Sequence, residues 1–442
     1  MTSGIAVELL DGGLAEDLAT ASLSMARRFA CGATLWCVAP GWEPHAHHMA
    51  VEFVHPVIVG KRALPAFALT GSDLVPRARV AARPGDILIA VAAARGAETS
   101  DEVVVDLMRR APALGATSAW IGSGPRPAAG AADHVLWIAD EDPMAPVTGR
   151  FVLLYHLLWE LTHVCFEYPG LLRPEPEGAG GPSTESTGFL YPFIEAEERD
   201  ARPLLAELAA SARAKAAESA ALQQATLDGC AGQVAACGAA MAERFAAGGR
   251  LYAFGNGGSA TDCATFAALF AAPPAGAARP GRGEAVRTAP AGSQPAGRPL
   301  PALNLTADQA VVTALGNDVG FDLIFSRQII ALAGSRDIAV AFSTSGSSPD
   351  LMAALGEARR RGVLTVGFAG YDGGEMAHSD VVDYCFVVRS QSVHRIQESQ
   401  ALLSYQLWAS TQHAFQKTVD RCVHPDVHNG PPSGPNPYGG TP

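Results

Sequence analysis

Two stretches of this chain are built to hold an anion. Leu251 to Asp262 reads LYAFGNGGSATD, and Ala339 to Asp350 reads AVAFSTSGSSPD. In each, a short apolar run ends in a burst of Gly, Asn, Ser and Thr and gives way to residues able to start a helix. A strand ending in such a turn leaves backbone N–H groups and hydroxyls at a helix N-terminus. Four N–H groups there lack intrahelical partners, and the dipole favours negative charge. A phosphate ester suits that environment, and two such loops on neighbouring strands of one parallel sheet make a single cradle. Either loop alone reads as an ordinary turn; two, each after a strand, do not. Gly255-x-Gly257-x-x-Ala260 also fits a relaxed dinucleotide fingerprint. No acidic residue ends a second strand about twenty positions later, as that use requires, so no nucleotide cofactor is expected.

The elements that must carry these loops occur twice. Residues 25–41, MARRFACGATLWCVAPG, line up with 241–257, MAERFAAGGRLYAFGNG, with Trp36 where Tyr252 stands. ARPGDILIAVAAARGAETSDEV (82–103) matches GSRDIAVAFSTSGSSPDLM (334–352), and ALGATSAWIGSG (113–124) matches RRGVLTVGFAGY (360–371). Each half alternates strand and helix, as parallel sheets do, and closes with a helix at 149–166 or 394–416. The predicted fold is therefore α/β: two tandem domains, each a parallel five-stranded sheet flanked by helices in three layers. Expected boundaries are 1–166, a Pro/Gly/Ser linker over 167–188, 189–422, and a disordered tail over 423–442. The Ala-rich segments 189–217 and 219–247 are predicted to pair as a helical hairpin. Ala271 to Pro299 reads as a mobile surface loop.

Bulk properties narrow the partners. With 442 residues the chain can bury ample core, and its net charge of −12 does not invite a nucleic-acid backbone. The apolar stretch from Phe151 to Phe166 contains His156, Glu160 and His163, which suits a buried bundle helix rather than a membrane span. Eight cysteines are scattered without a Cys-x-x-Cys pair. With no signal-peptide pattern at the N-terminus, a cytoplasmic location is expected.

GNGGSATD (255–262), LGNDVGFDLIFSRQI (315–329), STSGSS (343–348) and RIQE (395–398) together make residues 190–417 resemble a sugar isomerase (SIS) domain. Within that superfamily they are similar to the phosphoheptose isomerases, which interconvert sedoheptulose 7-phosphate and a heptose 7-phosphate. The resemblance of residues 1–166 rests on the internal repeat. The resemblance of residues 190–417 implies that Ser343, Thr344, Ser345 and Ser348 hold the phosphate. Asn256, Gly257, Gly258 and Ser259 would lie near the sugar, with Asp318 and Gln397 as further polar contacts.

That family carries a His-x-x-x-Glu pair on the helix after GNGGS and a His eight residues after the Gln of RIQE. Here those positions are Thr265, Leu269 and Tyr405. Aldose–ketose isomerisation moves a proton between adjacent carbons and needs a base and an acid, which this half lacks. The first half has lost the cradle: VAPGWEPHAHH replaces the first loop, and residues 93–98, AARGAE, replace STSGSS. Arg95 there could alternatively reach a phosphate. Yet His48-Met-Ala-Val-Glu52 falls on the missing pair, His163 falls on the Tyr405 position, and Tyr155 replaces the Gln. A composite site is expected, with Glu52 and His163 as base and acid. If zinc binds, His48, Glu52 and His163 would hold it. The alternatives are structural histidines on a half-apolar helix, a phosphosugar sensor or partner subunit without catalysis, and a sugar-modifying step on an unusual substrate. The expected ligand is a small phosphorylated sugar, with neither nucleic acid nor membrane as partner. A homodimer would imitate a four-domain assembly.

Overall fold

A computed structural model describes residue 10 and residues 13–58, 60–92, 99–139, 145–172, 200–273 and 297–423. The expectations for residues 93–98, for the linker beyond 172, for most of the 271–299 loop and for the tail beyond 423 lie outside the described residues.

The described residues form two five-stranded sheets, parallel throughout. The first contains β1 (Leu35–Val38), β2 (Ala66–Leu69), β3 (Ile87–Val91), β4 (Thr117–Ser123) and β5 (His134–Ile138) in the order β2-β1-β3-β4-β5. The second contains β6 (Leu251–Gly255), β7 (Ala302–Asn304), β8 (Ile338–Phe342), β9 (Leu364–Gly370) and β10 (Tyr384–Val388). Its order, β7-β6-β8-β9-β10, is the same. Every residue of β3, β4, β6, β8 and β9 is buried. That is why these strands read as continuous apolar runs: helices cover both faces of a parallel sheet, so neither face can be polar.

The predicted hairpin is a correction. In place of two helices, Arg202–Ala246 is one unbroken helix of 45 residues, about 68 Å long at 1.5 Å per residue. The Ala-rich stretch around residue 218 has high helix propensity and no Pro to break it, so continuation costs nothing locally. One end of this helix, through Leu204, Leu208, Ala212 and Ala216, belongs to the core of the first half. The other end, through Val234, Cys237, Met241 and Phe245, belongs to the core of the second. It thereby fixes the halves against each other, with the closing helices Arg150–Cys165 and Val393–Val423 packed between them. Helix Glu43–Val54 from the first half lies against helix Gly258–Ala271 of the second. Among the described residues no helix is long and apolar enough to cross a membrane.

Candidate active site at the junction of the halves

The anion loop begins where β8 ends. Ser343 accepts the Gly346 N–H on its hydroxyl at 2.9 Å, and its Oγ lies 3.3 Å from Ser345 Oγ. Gly346 has φ +69°, and an added Cβ would sit 2.2 Å from the Gly373 carbonyl oxygen, so only glycine closes this turn. Ser348 is the N-cap of helix Pro349–Arg360 but does not spend its hydroxyl on capping. Thr344 is half-buried and Ser345 exposed, so this rim can reach a ligand. Across from it, Gly257 (φ +55°, ψ −126°) turns the chain into helix Gly258–Ala271, with Ser259 buried behind it. Asn256 donates from Nδ2 to Asp350 Oδ2 at 2.8 Å. That bond uses the amide nitrogen and leaves the amide oxygen out of it. Asp318 is exposed at the end of its helix and accepts from its neighbour Asn317.

Glu52 and His48 occupy one face of helix Glu43–Val54, a single turn apart, and both are almost wholly buried. Glu52 Oε1 is 3.6 Å from His48 Nε2. His48 Nε2 is in turn 3.4 Å from Gln397 Nε2 and 3.4 Å from His156 Nε2. These groups press on the GNGGS backbone of the other half. A Cβ built on Gly258 would stand 2.2 Å from Gln397 Nε2 and 3.1 Å from both Glu52 Oε1 and His48 Nε2. Three residues past Gln397 on the same helix, Gln400 donates from Nε2 to the Ser343 carbonyl at 2.9 Å. One helix end thus ties the His/Glu cluster to the anion loop.

His163 is not part of the cluster, and that expectation is corrected. Its two ring nitrogens lie 2.9 Å from the carbonyls of Trp159 and Arg62, and burial lowers its pKa. His156 stands where His163 was expected. The two are seven residues apart, hence on nearly the same helix face but about 10 Å apart along the axis.

Several partners of the cluster were not singled out from sequence as site residues. His394 places Nδ1 2.7 Å from Glu160 Oε1 and Nε2 3.3 Å from Glu52 Oε2. His156 places Nδ1 3.0 Å from Glu398 Oε1, and its ring stacks on that of His394 at 4.4 Å. Arg395, itself buried, reaches Glu160 at 2.8 Å and Glu398 at 3.2 Å. Lys215 reaches Glu160 at 2.5 Å. Three cationic groups, His394, Arg395 and Lys215, therefore face three carboxyls. Buried charge on this scale persists only when paired this closely. One signal for it was in the sequence: His156/Glu160 and His394/Glu398 repeat the His-x-x-x-Glu spacing of His48/Glu52.

Burial works to raise Glu52, but the hydrogen bond from His394 and the His48 ring 3.6 Å away outweigh it and hold the carboxyl well below its ordinary range. Glu160 is lowered likewise: burial is overridden by His394 and Arg395. Burial alone would lower His394; its bonds to Glu160 and Glu52 win and raise it to about 9. His156, buried beside other cations, is pushed well below the usual histidine value. Because it stays neutral, the cation that keeps Glu52 ionised is His394. Asp262 and Glu398 are each raised to about 7 by burial.

The raised His394 has a measurable consequence. The folded state binds that proton more tightly than the unfolded chain, so its stabilisation is complete below about pH 6.5 and is lost as pH climbs through about 9. The thermal midpoint should fall across that window, and H394Q should flatten the fall. A midpoint independent of pH there in the wild-type chain would contradict this assignment.

The donor set also fits a divalent cation. His48, Glu52 and His156 offer ligand atoms that all lie within 4.8 Å of one another, and among the described residues they are the group of this kind. Tetrahedral ligands at about 2.1 Å from zinc stand about 3.4 Å apart, close to the 3.4 and 3.6 Å separations here. Gln397 Oε1 lies buried and unpartnered beside them.

No family model matches the chain. It is 40% identical over 179 residues to the phosphoheptose isomerase of Solidesulfovibrio magneticus, covering 40% of this chain and 77% of that protein. To the phosphoheptose isomerase of Geobacter sulfurreducens it is 42% identical over 168 residues, 38% of this chain and 78% of the relative. Among solved structures, the C-terminal domain of glucosamine-fructose-6-phosphate aminotransferase from Francisella tularensis matches 91% of this chain and 94% of its own. The TM-score is 0.50 at 10% identity, a likeness of fold alone. By these sequence matches, the chain belongs to the phosphoheptose isomerase family.

Proposed function

We propose that the chain is an aldose–ketose isomerase of a heptose phosphate such as sedoheptulose 7-phosphate, with one composite site built from both halves. The observation that carries this reading is Glu52 Oε1 of the first half lying against the Gly258 backbone of the second. The cradle residues Ser343, Thr344, Ser345 and Ser348 take the phosphate, and Asn256 and Ser259 face the sugar. Glu52 is the base. It removes a proton from C1 of the ketose, leaving an enediolate, and returns a proton to C2 to give the aldose. His156 donates Nδ1–H to Glu398 and so presents a lone pair at Nε2. That nitrogen takes the O1 proton and delivers it to O2. A divalent cation of the zinc type held by His48, Glu52 and His156 would occupy that same Nε2 lone pair, and would then supply a Lewis acid for the sugar carbonyl in place of the imidazole shuttle.

The same strand order in the two sheets, with the repeated sequence words, supports a tandem duplication and domains near 1–166 and 189–422. Two such chains would reproduce a four-domain assembly as a homodimer, and a cytoplasmic location is retained from the sequence reading. Assaying the purified chain on sedoheptulose 7-phosphate tests the function. Turnover supports the isomerase, whereas saturable binding without turnover leaves a phosphosugar receptor, the reading favoured by Thr265, Leu269 and Tyr405 in the second half. H163Q should keep turnover within about threefold of wild type, since both ring nitrogens of His163 face backbone carbonyls. A hundredfold loss in a folded H163Q chain would return His163 to the site.

A further inference from the structure

The two closing helices exchange partners. Helix Arg150–Cys165 carries His156 and Glu160; helix Val393–Val423 carries His394 and Glu398 at the same spacing. His156 takes Glu398 of the other helix, and His394 takes Glu160, each through Nδ1. The long helix Arg202–Ala246 then closes both pairs from residues one turn apart. Ser219 donates its hydroxyl to Glu398 Oε2 at 2.5 Å, and Lys215 reaches Glu160 Oε2 at 2.5 Å. Two parallel chains of contacts result. One runs Ser219–Glu398–His156–His48, the other Lys215–Glu160–His394–Glu52.

We infer that Glu398 and Glu160 are positioning residues for a divalent-cation site, each fixing the imidazole of the opposite helix so that its Nε2 faces the His48/Glu52 pair. A carboxylate that accepts the Nδ1–H leaves the Nε2 lone pair as the metal-facing atom and prevents ring rotation, as outer partners of ligating histidines generally do. Glu398 does this for His156. On the other chain of contacts His394 donates Nε2–H to Glu52 Oε2, which leaves Oε1 as the oxygen turned to His48 and Gly258. The cation site therefore needs both halves even though all three of its ligands come from the first.

This inference rests on the cation part of the proposed function but not on turnover, and its test is chosen accordingly. Zn2+ affinity of the full chain is measured by competition with a chromophoric chelator, together with the visible bands of the Co2+-loaded form. Wild type should bind one equivalent. E398Q should bind about 10- to 100-fold more weakly and E160Q should weaken in the same direction, each with altered Co2+ bands. E160Q, which unpairs buried cations, should also lower the thermal midpoint, so Zn2+ is titrated well below the midpoint of each variant, where affinity for sedoheptulose 7-phosphate should be held. If E398Q does not fold, S219A, which removes only the hydroxyl on Oε2, is read instead and should weaken binding to a smaller degree. Wild-type Zn2+ affinity at background level, or unchanged affinity and Co2+ bands in the folded variants, would overturn the inference. Metal binding with these losses but no sedoheptulose 7-phosphate turnover would uphold it while removing the isomerase reading.

Discussion

E52Q should lose turnover of sedoheptulose 7-phosphate by about 10^3-fold while keeping its affinity for the phosphosugar. Glu52 is held ionised in a dry setting by the His394 imidazolium, so it is anionic at neutral pH, and in the proposed site it stands beside the carbons that exchange a proton. Glutamine keeps the shape and still accepts a bond from His394 but cannot take a proton, and removing a positioned base typically costs 10^2- to 10^4-fold. The proposed phosphate contacts lie on a different element, Ser343 to Ser348, so binding should hold. Isothermal titration against steady-state assay separates the two quantities. A variant that loses both together would mean that Glu52 organises the pocket rather than the chemistry.

G258A should be nearly as damaging, though it adds one methyl group to the half that supplies no acid or base. Its Cβ would stand 2.2 Å from Gln397 Nε2, inside any real contact distance, and Gln397 is buried with nowhere free to swing. Glu52 and His48, each 3.1 Å from that carbon, must give as well. Displacement of reacting groups by about 1 Å costs on the order of 10^2-fold in rate. Stability should also fall, by about 1–3 kcal/mol, because the added methyl overpacks a buried site; the better helix propensity of Ala offsets only part of that. Assay well below the lowered midpoint checks this: a large rate loss in the folded variant is expected, and an unimpaired G258A would mean the halves do not share a site.

The anion loops were legible because their chemistry is local. Ser, Gly and Asn at a strand-to-helix turn imply the same N–H-rich concavity wherever they occur, and Gly346 and Gly257 are required by backbone angles the sequence already hints at. The sheets were legible because a strand buried on both faces has to be written in apolar residues, as LYAFG and IAVAF are. The long helix was not, because an Ala-rich run carries no information on whether two segments fold back or continue; that is decided by which cores lie at its two ends. His163 illustrates a different limit. Lining up the halves gave the correct helix face, but a face recurs every seven residues, and His156 two turns earlier meets the same periodic test. Only packing against Glu398 and His48 chooses between them. The buried charges were the hardest to see: Glu160, Arg395 and Lys215 look like surface residues until the second closing helix is laid against the first.

The central claim, that the earlier half's carboxylate works on a sugar held by the later half's serines, is tested most directly by following heptose 7-phosphate formation from sedoheptulose 7-phosphate. Wild type, E52Q and a cradle variant, S343A/S345A, are compared at saturating and limiting substrate. The account predicts turnover in wild type, a loss confined to kcat in E52Q, and a loss carried mainly by KM in the serine variant. Turnover that survives E52Q, or no turnover in a wild-type chain that binds the sugar, would contradict it.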